Sequence, residues 1–131
     1  MKRHTLIKNA KIVNEGKVFE GDILIEDDII KEIDISISVK SSDVTVIDVE
    51  GNYVLPGMID DQVHFREPGL THKANIETES KAALAGGITS FIEMPNTIPQ
   101  TTTVEKLEEK FAIAAESSHA NYSFMFGGTN D

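Results

Sequence analysis

One short segment concentrates the residue types that bind metals and anions. Residues 60–69 read Asp-Asp-Gln-Val-His-Phe-Arg-Glu-Pro-Gly, which places a histidine, an arginine, a glutamine and three carboxylates close together. The neutral imidazole of His64 can serve as a metal ligand, and the guanidinium of Arg66 can hold a carboxylate through two parallel hydrogen bonds. The segment therefore predicts a site for a metal ion, an anionic ligand or both.

The same residues also have plainer structural interpretations, which the sequence leaves open. His64 can be an ordinary hydrogen-bonded histidine without a metal, and Arg66 can form a salt bridge to Glu67 or Asp61. We expect Asp60 to support the strand end or the ligands around it rather than to act as a catalyst.

A second candidate group is Met94-Pro95-Asn96-Thr97, where proline stiffens the chain and the Asn96 amide offers both a donor and an acceptor. Taken alone, Pro-Asn-Thr is more often a turn. His72 follows the first cluster and is a weaker candidate for lining the same site. We expect His4 and His119 to be surface residues.

Alternating strand and helix patterns follow Pro56. The predicted elements are a strand over 57–64, a helix over 75–85, a strand over 88–94, a helix after residue 102 and a strand over 120–126. This alternation implies parallel strands, whose carboxyl ends form sites at one edge. If the first strand persists, Gln62, His64 and Arg66 alternate with a period of two and point into one cavity.

The helices carry recognisable start signals and faces. Asn75 is a predicted N-cap, and Thr102 with Glu105 has the spacing of a capping box. In the second helix the predicted apolar face comprises Val104, Leu107, Phe111, Ala114 and Ala115. The charged residues expected on the solvated face are Lys106, Glu108, Glu109, Lys110 and Glu116.

Residues 1–55 have a different character, with short β-branched runs separated by polar turns, which predicts a small sheet or sandwich. The alternation of Ile33, Ile35, Ile37 and Val39 indicates a strand with one wet face or a poorly buried edge. Residues 56–131 then supply three strands, too few for a closed eight-stranded barrel. We therefore expect an α/β chain truncated after the third strand of its barrel.

Composition excludes several classes of function. The net charge of -10 argues against nucleic acid as a partner, because phosphate contacts need clustered Lys and Arg. The lack of cysteine excludes disulfides and thiol nucleophiles. No apolar run is long enough for a signal sequence or a membrane span, so we expect a cytoplasmic protein without a membrane partner.

Five segments taken in order resemble a known family. Segments 21–25 (GDILI) and 54–60 (VLPGMID) resemble the opening of the amidohydrolase superfamily. Segments 64–69 (HFREPG), 83–89 (ALAGGIT) and 94–97 (MPNT) resemble dihydroorotases in particular. The combination is specific, whereas each segment alone is weak.

The resemblance implies a small β-sandwich segment over residues 1–55, followed by the first three β/α units of an incomplete metal-dependent (β/α)8 TIM barrel over 56–131. It implies hydrolysis of the cyclic amide of dihydroorotate to carbamoyl-aspartate, reversibly, in pyrimidine biosynthesis. It further implies one or two Zn²⁺ ions with His64 as a ligand, a substrate carboxylate held by Arg66 and Asn96, and a homo-oligomer at full length.

One position departs from the family pattern. The family's first strand carries His-x-His with both histidines on metal, whereas this chain has Gln62-Val63-His64. A glutamine oxygen is a poorer zinc ligand than imidazole. The chain therefore holds one metal, or coordinates a second one weakly through Gln62, or belongs to a non-catalytic dihydroorotase-like subunit that binds a partner. An allantoinase or hydantoinase-like cyclic amidohydrolase is the other alternative.

The resemblance also assigns the remaining ligands and the acid/base carboxylate to later barrel strands. We accordingly expect no catalytic residue within these 131 residues and no activity from the chain by itself. Its open sheet edge is expected to favour association.

Overall fold

The computed structural model describes residues 2–40 and 43–130, which form two compact units that meet in sequence between Pro56 and Gly57. The first unit is built from strands and the second from alternating strands and helices, so the predicted α/β class is confirmed. No described helix has the length and apolar content needed to cross a membrane.

The described part of the N-terminal unit forms a five-stranded sheet. Its strands are β1 (His4–Asn14), β2 (Lys17–Glu26), β3 (Ile29–Asp34), β4 (Val44–Asp48) and β5 (Tyr53–Val54). The order is β3-β2-β1-β4, with β5 also pairing with β1. Glu15 and Gly16 both have positive φ between β1 and β2, as a two-residue hairpin turn requires.

A buried carboxylate shapes this sheet. Asp22 is 3% exposed, and its two oxygens accept hydrogen bonds at 3.0 Å from the backbone amides of Asn9 and Ile37. Asn9 has a φ of 56° at the register shift between β1 and β2. β3 ends at Asp34 with all its residues exposed, as in the poorly buried edge that the alternation allowed, and the Ile37 amide donates to Asp22 instead of continuing the strand toward Val39.

We expect Asp22→Ala to lower the free energy of unfolding of the N-terminal unit by about 2–4 kcal/mol, since two buried amides lose their acceptor. Denaturant unfolding measures this change. Asp28→Ala is the matched control, because the Asp28 side chain is 90% exposed and should contribute less than about 0.5 kcal/mol. Equal effects of the two substitutions would contradict this role of Asp22.

The C-terminal unit has the predicted βαβαβ order. Its elements are β6 (Met58–Val63), α1 (Ile76–Ala85), β7 (Ile88–Glu93), α2 (Val104–Ser117) and β8 (Asn121–Phe124). The three strands are parallel in the order β6-β7-β8. Their carboxyl ends therefore lie at one edge of the sheet.

The helix starts match the sequence in one case and differ in the other. The Asn75 side chain accepts from the Thr78 amide at 2.8 Å, so the predicted N-cap of α1 is confirmed. The N-cap of α2 is Thr103 rather than the predicted Thr102, because Thr103 accepts from the Lys106 amide. The Thr102 hydroxyl instead accepts from Lys106 Nζ at 3.4 Å.

Between the helices and the sheet lies an aromatic core. Its buried members are Phe65, Ile76, Phe91, Ala114, Ala120 and Phe124. In α2 the buried stripe passes through Lys110 and Ala114, whereas Val104 is 60% exposed. The expectation that Lys110 belongs to the solvated face was therefore wrong, because the stripe is rotated from the predicted one.

Candidate functional site

A local irregularity shapes the end of β6. The Asp60 carboxylate accepts from the Gln62 amide at 3.1 Å, at the point where the register against β7 shifts between Asp60 and Val63. The strand ends at Val63, and the side chains of Gln62 and His64 are exposed. Asp60 thus supports the strand end, as expected from the sequence.

Phe65 anchors the loop that follows. It is 8% exposed and its ring lies 4.5 Å from that of Phe91, which leaves exposed His64 and half-buried Arg66 outside the core. Arg66 has a φ of 72°, in the left-handed region. The two-residue alternation predicted for Gln62, His64 and Arg66 therefore does not reach Arg66, because a turn replaces the strand.

The exits of β6 and β7 are in direct contact. Met94 N donates to Val63 O at 3.0 Å, and His64 Nδ1 lies 2.9 Å from Asn96 Oδ1. Because an amide oxygen only accepts hydrogen bonds, His64 Nδ1 carries a proton and donates a hydrogen bond to Asn96 Oδ1. This tautomer leaves the Nε2 lone pair of His64 available to a metal ion.

Two groups of donors remain available at this edge. Within residues 2–40 and 43–130, the Arg66 guanidinium forms no ion pair, and Asn96 Nδ2 has no hydrogen-bond partner. Glu67 instead accepts from the Ile76 amide at 2.9 Å and so caps α1. The salt bridges considered for Arg66 are therefore not formed, and both donor groups can meet a carboxylate.

The exit of β8 completes this edge. Gly127 N donates to Thr101 O at 2.7 Å, which draws the chain after β8 toward the segment that follows Asn96. A cavity of about 190 Å³ lies between them, and its lining residues are Pro95, Asn96, Gln100, Thr102, Gly127 and Gly128. The Asn96 side chain thus borders both His64 and an open cavity.

A buried ion pair, which the sequence did not predict, lies at the end of β7. Lys110 Nζ is 2.9 Å from Glu93 Oε2, donates to Met94 O at 3.2 Å and lies 4.8 Å from the centre of the Phe124 ring. A signal was present, because Glu93 shares the inward parity of Phe91 and Lys110 stands between Leu107 and Ala114 in helical spacing.

The electrostatics of Glu93 reflect this burial. Removal from water raises the pKa of the Glu93 carboxyl, while the ammonium of Lys110 and the backbone N–H of Arg66 oppose that rise in part. Glu93 thus interacts with residues from the β6 exit and from α2.

The described residues do not form a complete metal centre. They contain no group of three or more His, Asp, Glu or Cys side chains able to hold a metal, whereas zinc takes three or four protein ligands. His72 is exposed in a turn, and His119 is exposed after α2. His4 was expected at the surface but is half-buried in the N-terminal unit, with Nε2 3.3 Å from Glu26.

Comparisons with known proteins identify the family of this chain. The dihydro-orotase-like family matches residues 51–126. A dihydroorotase of Carboxydothermus hydrogenoformans is 52% identical over 96 residues, covering 72% of this chain and 22% of that protein. The chain belongs to the dihydroorotase-like family. A dihydroorotase of Methanosarcina acetivorans is 44% identical over 125 residues, covering 95% of this chain and 27% of that protein.

Solved structures of hydantoinases share the fold of this dihydroorotase-like chain. The L-hydantoinase of Arthrobacter aurescens has a TM-score of 0.91 at 32% identity, covering 99% of this chain and 29% of that one. A Thermus D-hydantoinase has a TM-score of 0.77 at 34% identity, covering 93% and 27%. The chain thus spans roughly a quarter of the length of the relatives it matches.

The contact between the two loops gives a testable prediction. Ile98 N donates to Pro68 O at 3.1 Å, and a Cβ on Gly69, whose φ is 82°, would overlap the Ile98 carbonyl oxygen. We expect Gly69→Ala to lower the free energy of unfolding by about 2 kcal/mol or more. The NMR signals of the His64 ring should shift as the loops separate.

Gly128→Ala is the control for this substitution, because a Cβ there meets no atom within 4 Å. Its unfolding midpoint and its His64 signals should match those of the unsubstituted chain. If Gly69→Ala behaved in the same way, the close approach of the loops would not fix the site.

Proposed function

We propose that this chain supplies the substrate-carboxylate clamp and one metal ligand of a dihydroorotase, which reversibly hydrolyses the cyclic amide of dihydroorotate to carbamoyl-aspartate. The observation that carries the proposal is the contact between His64 and Asn96, with Nδ2 of Asn96 and the guanidinium of Arg66, two residues after His64, free of partners among residues 2–40 and 43–130. The chain covers about a quarter of its relatives, so this activity belongs to a complete polypeptide that carries these residues.

The clamp accounts for a substrate that bears a carboxylate next to its ring. A guanidinium donates two parallel hydrogen bonds to a carboxylate, and the Asn96 Nδ2 group adds a further donor. Asn96 Oδ1 accepts from His64 Nδ1, while Asn96 Nδ2 keeps its N–H donors for a ligand. The positive charge of the Arg66 guanidinium, rather than the neutral amide, favours an anionic ligand over a neutral carbonyl compound.

His64 would bind a zinc ion through Nε2, and Gln62 would contribute a weaker oxygen ligand from the same strand exit. A zinc ion supplies polarisation of the ring carbonyl and lowers the pKa of a bound water. The described residues provide at most these two ligands, so one or two zinc ions require further residues in the complete protein. Within this chain, the Asn96 contact keeps the His64 ring oriented for that task.

Two alternative functions have specific support. The TM-score of 0.91 to an L-hydantoinase favours another cyclic amidohydrolase, such as a hydantoinase-like enzyme or an allantoinase. Gln62 favours a non-catalytic dihydroorotase-like subunit that binds a partner enzyme. We further propose that the complete protein is a cytoplasmic homo-oligomer that acts in pyrimidine biosynthesis on a small molecule, without nucleic acid or membrane.

Turnover assays with the complete polypeptide separate these functions. We expect ring opening of dihydroorotate, and slower or no ring opening of hydantoin and allantoin. Preference for hydantoin or allantoin would support the second cyclic amidohydrolase, and no turnover of any of the three would support the non-catalytic subunit. The 131-residue chain assayed alone should show no activity.

The clamp gives a sharper prediction in the complete protein. We expect Arg66→Ala to raise the KM for dihydroorotate roughly 30- to 200-fold, which corresponds to about 2–3 kcal/mol, with a smaller change in kcat. Asn96→Ala should change KM in the same direction. Lys73→Ala is the control, because Lys73 is exposed in the same loop and is not part of the proposed clamp. An unchanged KM for Arg66→Ala would remove Arg66 from the clamp.

Metal content tests the part assigned to Gln62 and His64. We expect the complete protein to contain zinc, to lose activity with a chelator and to bind zinc more tightly after Gln62→His, since imidazole is the better ligand. His64→Ala should lower the zinc content. A complete protein that purifies without zinc and ignores chelators would contradict the assignment.

A further inference from the structure

The buried pair of Glu93 and Lys110 is an unexpected feature for a stable core. The side chains are 0% and 1% exposed, and their charged atoms lie 2.9 Å apart. Removing two charges from water costs several kcal/mol, and apolar residues of similar volume often give equal or greater stability at such positions. Stability alone therefore does not explain this pair, and its contacts indicate another role.

Glu93 faces a strained backbone position. Arg66 has a φ of 72°, which costs a non-glycine residue about 1 kcal/mol or more and persists only where the surroundings hold it. The Arg66 carbonyl oxygen accepts from Leu70 N at 3.0 Å. The backbone N–H of Arg66 interacts with the Glu93 carboxylate. Neither Glu93 oxygen has a hydrogen bond of full geometry to a described residue, so the attraction is mainly electrostatic.

Lys110 acts on the neighbouring loop. Its Nζ donates to the carbonyl oxygen of Met94 at 3.2 Å, two residues before Asn96. The same ammonium is held above the Phe124 ring of β8 and against Glu93. The ion pair thus links the chain at Arg66 to the chain that leads to Asn96.

We infer that Glu93 and Lys110 are positioning residues, which hold the two halves of the carboxylate clamp in register by fixing the backbone at Arg66 and at Met94. The assignment of a clamp rests on the proposed function, whereas the positioning of the backbone does not. A carboxylate is needed here because an apolar side chain would offer the Arg66 N–H no negative charge. Displacement of a binding group by about 1 Å is enough to reduce substrate recognition strongly.

Two double variants separate positioning from plain packing. Glu93→Leu with Lys110→Met replaces the pair by apolar groups of similar volume and removes the negative charge that faces the Arg66 N–H. Glu93→Gln with Lys110→Met also removes both charges but retains an amide oxygen, whose partial negative charge still attracts that N–H. The matched control is Glu77→Gln with Lys81→Met, which removes an exposed pair at 2.7 Å in α1.

The first measurement is the hydrogen-exchange rate of the Arg66 amide in the 131-residue chain. This rate is divided by that of the Phe91 amide in the core, which corrects for any loss of global stability. We expect the ratio to rise at least about tenfold in the Leu/Met variant, to recover in part in the Gln/Met variant and to stay unchanged in the control. An unchanged ratio in a folded Leu/Met variant would overturn the inference.

The second measurement uses the complete protein and dihydroorotate. The Leu/Met variant should raise KM about tenfold or more with a smaller effect on kcat, and the Gln/Met variant should restore part of the loss. If the unsubstituted protein does not turn over dihydroorotate, the proposed function fails, yet the exchange ratio still tests the positioning role. If the unsubstituted protein turns over dihydroorotate and all variants have the same KM, the positioning role is wrong and the proposed function still stands.

Discussion

Three backbone hydrogen bonds between the strand exits determine the geometry on which the site depends. Met94 N donates to Val63 O at 3.0 Å, Ile98 N to Pro68 O at 3.1 Å and Met125 N to Glu93 O at 2.9 Å. The first and third of these bonds extend the parallel ladder past the strand ends, and the second joins the two loops that follow β6 and β7. As a result, His64 and Asn96, which are 32 residues apart in sequence, meet within hydrogen-bonding distance.

The sequence predicts the parts of this arrangement that follow from repeated patterns. Alternating apolar runs predicted the strand and helix order, and parallel connections then placed segments 64–69 and 94–97 at one edge. The turn at Arg66 was not predictable, because a single positive φ in a non-glycine residue leaves no pattern in composition or spacing. The burial of Lys110 was not predicted. Two choices of the buried face of α2, related by a small rotation about the helix axis, fit the apolar pattern of this segment almost equally well.

The link between His64 and Asn96 joins the two halves of the proposed chemistry. By accepting a hydrogen bond from Nδ1–H, Asn96 selects the imidazole tautomer that has a lone pair on Nε2. The same side chain keeps its Nδ2 donors for a ligand. One amide therefore sets the metal-binding form of His64 and offers donors to the group that would bind next to it, while the charge of Arg66 favours an anion there.

The backbone alone does not set the choice of substrate. An L-hydantoinase shares this chain's fold with a TM-score of 0.91 at 32% identity, while relatives that are 52% identical over 96 residues and 44% identical over 125 residues are named dihydroorotases. A scaffold common to both groups must leave discrimination to side chains at the strand exits. In this chain those side chains include Arg66, whose guanidinium forms no ion pair within residues 2–40 and 43–130, and Asn96, which presents N–H donors. The proposed positioning role of Glu93 and Lys110 accounts for a buried charge pair in contact with the segment that leads to Asn96, because such a pair costs stability and is explained by exact placement of the binding groups.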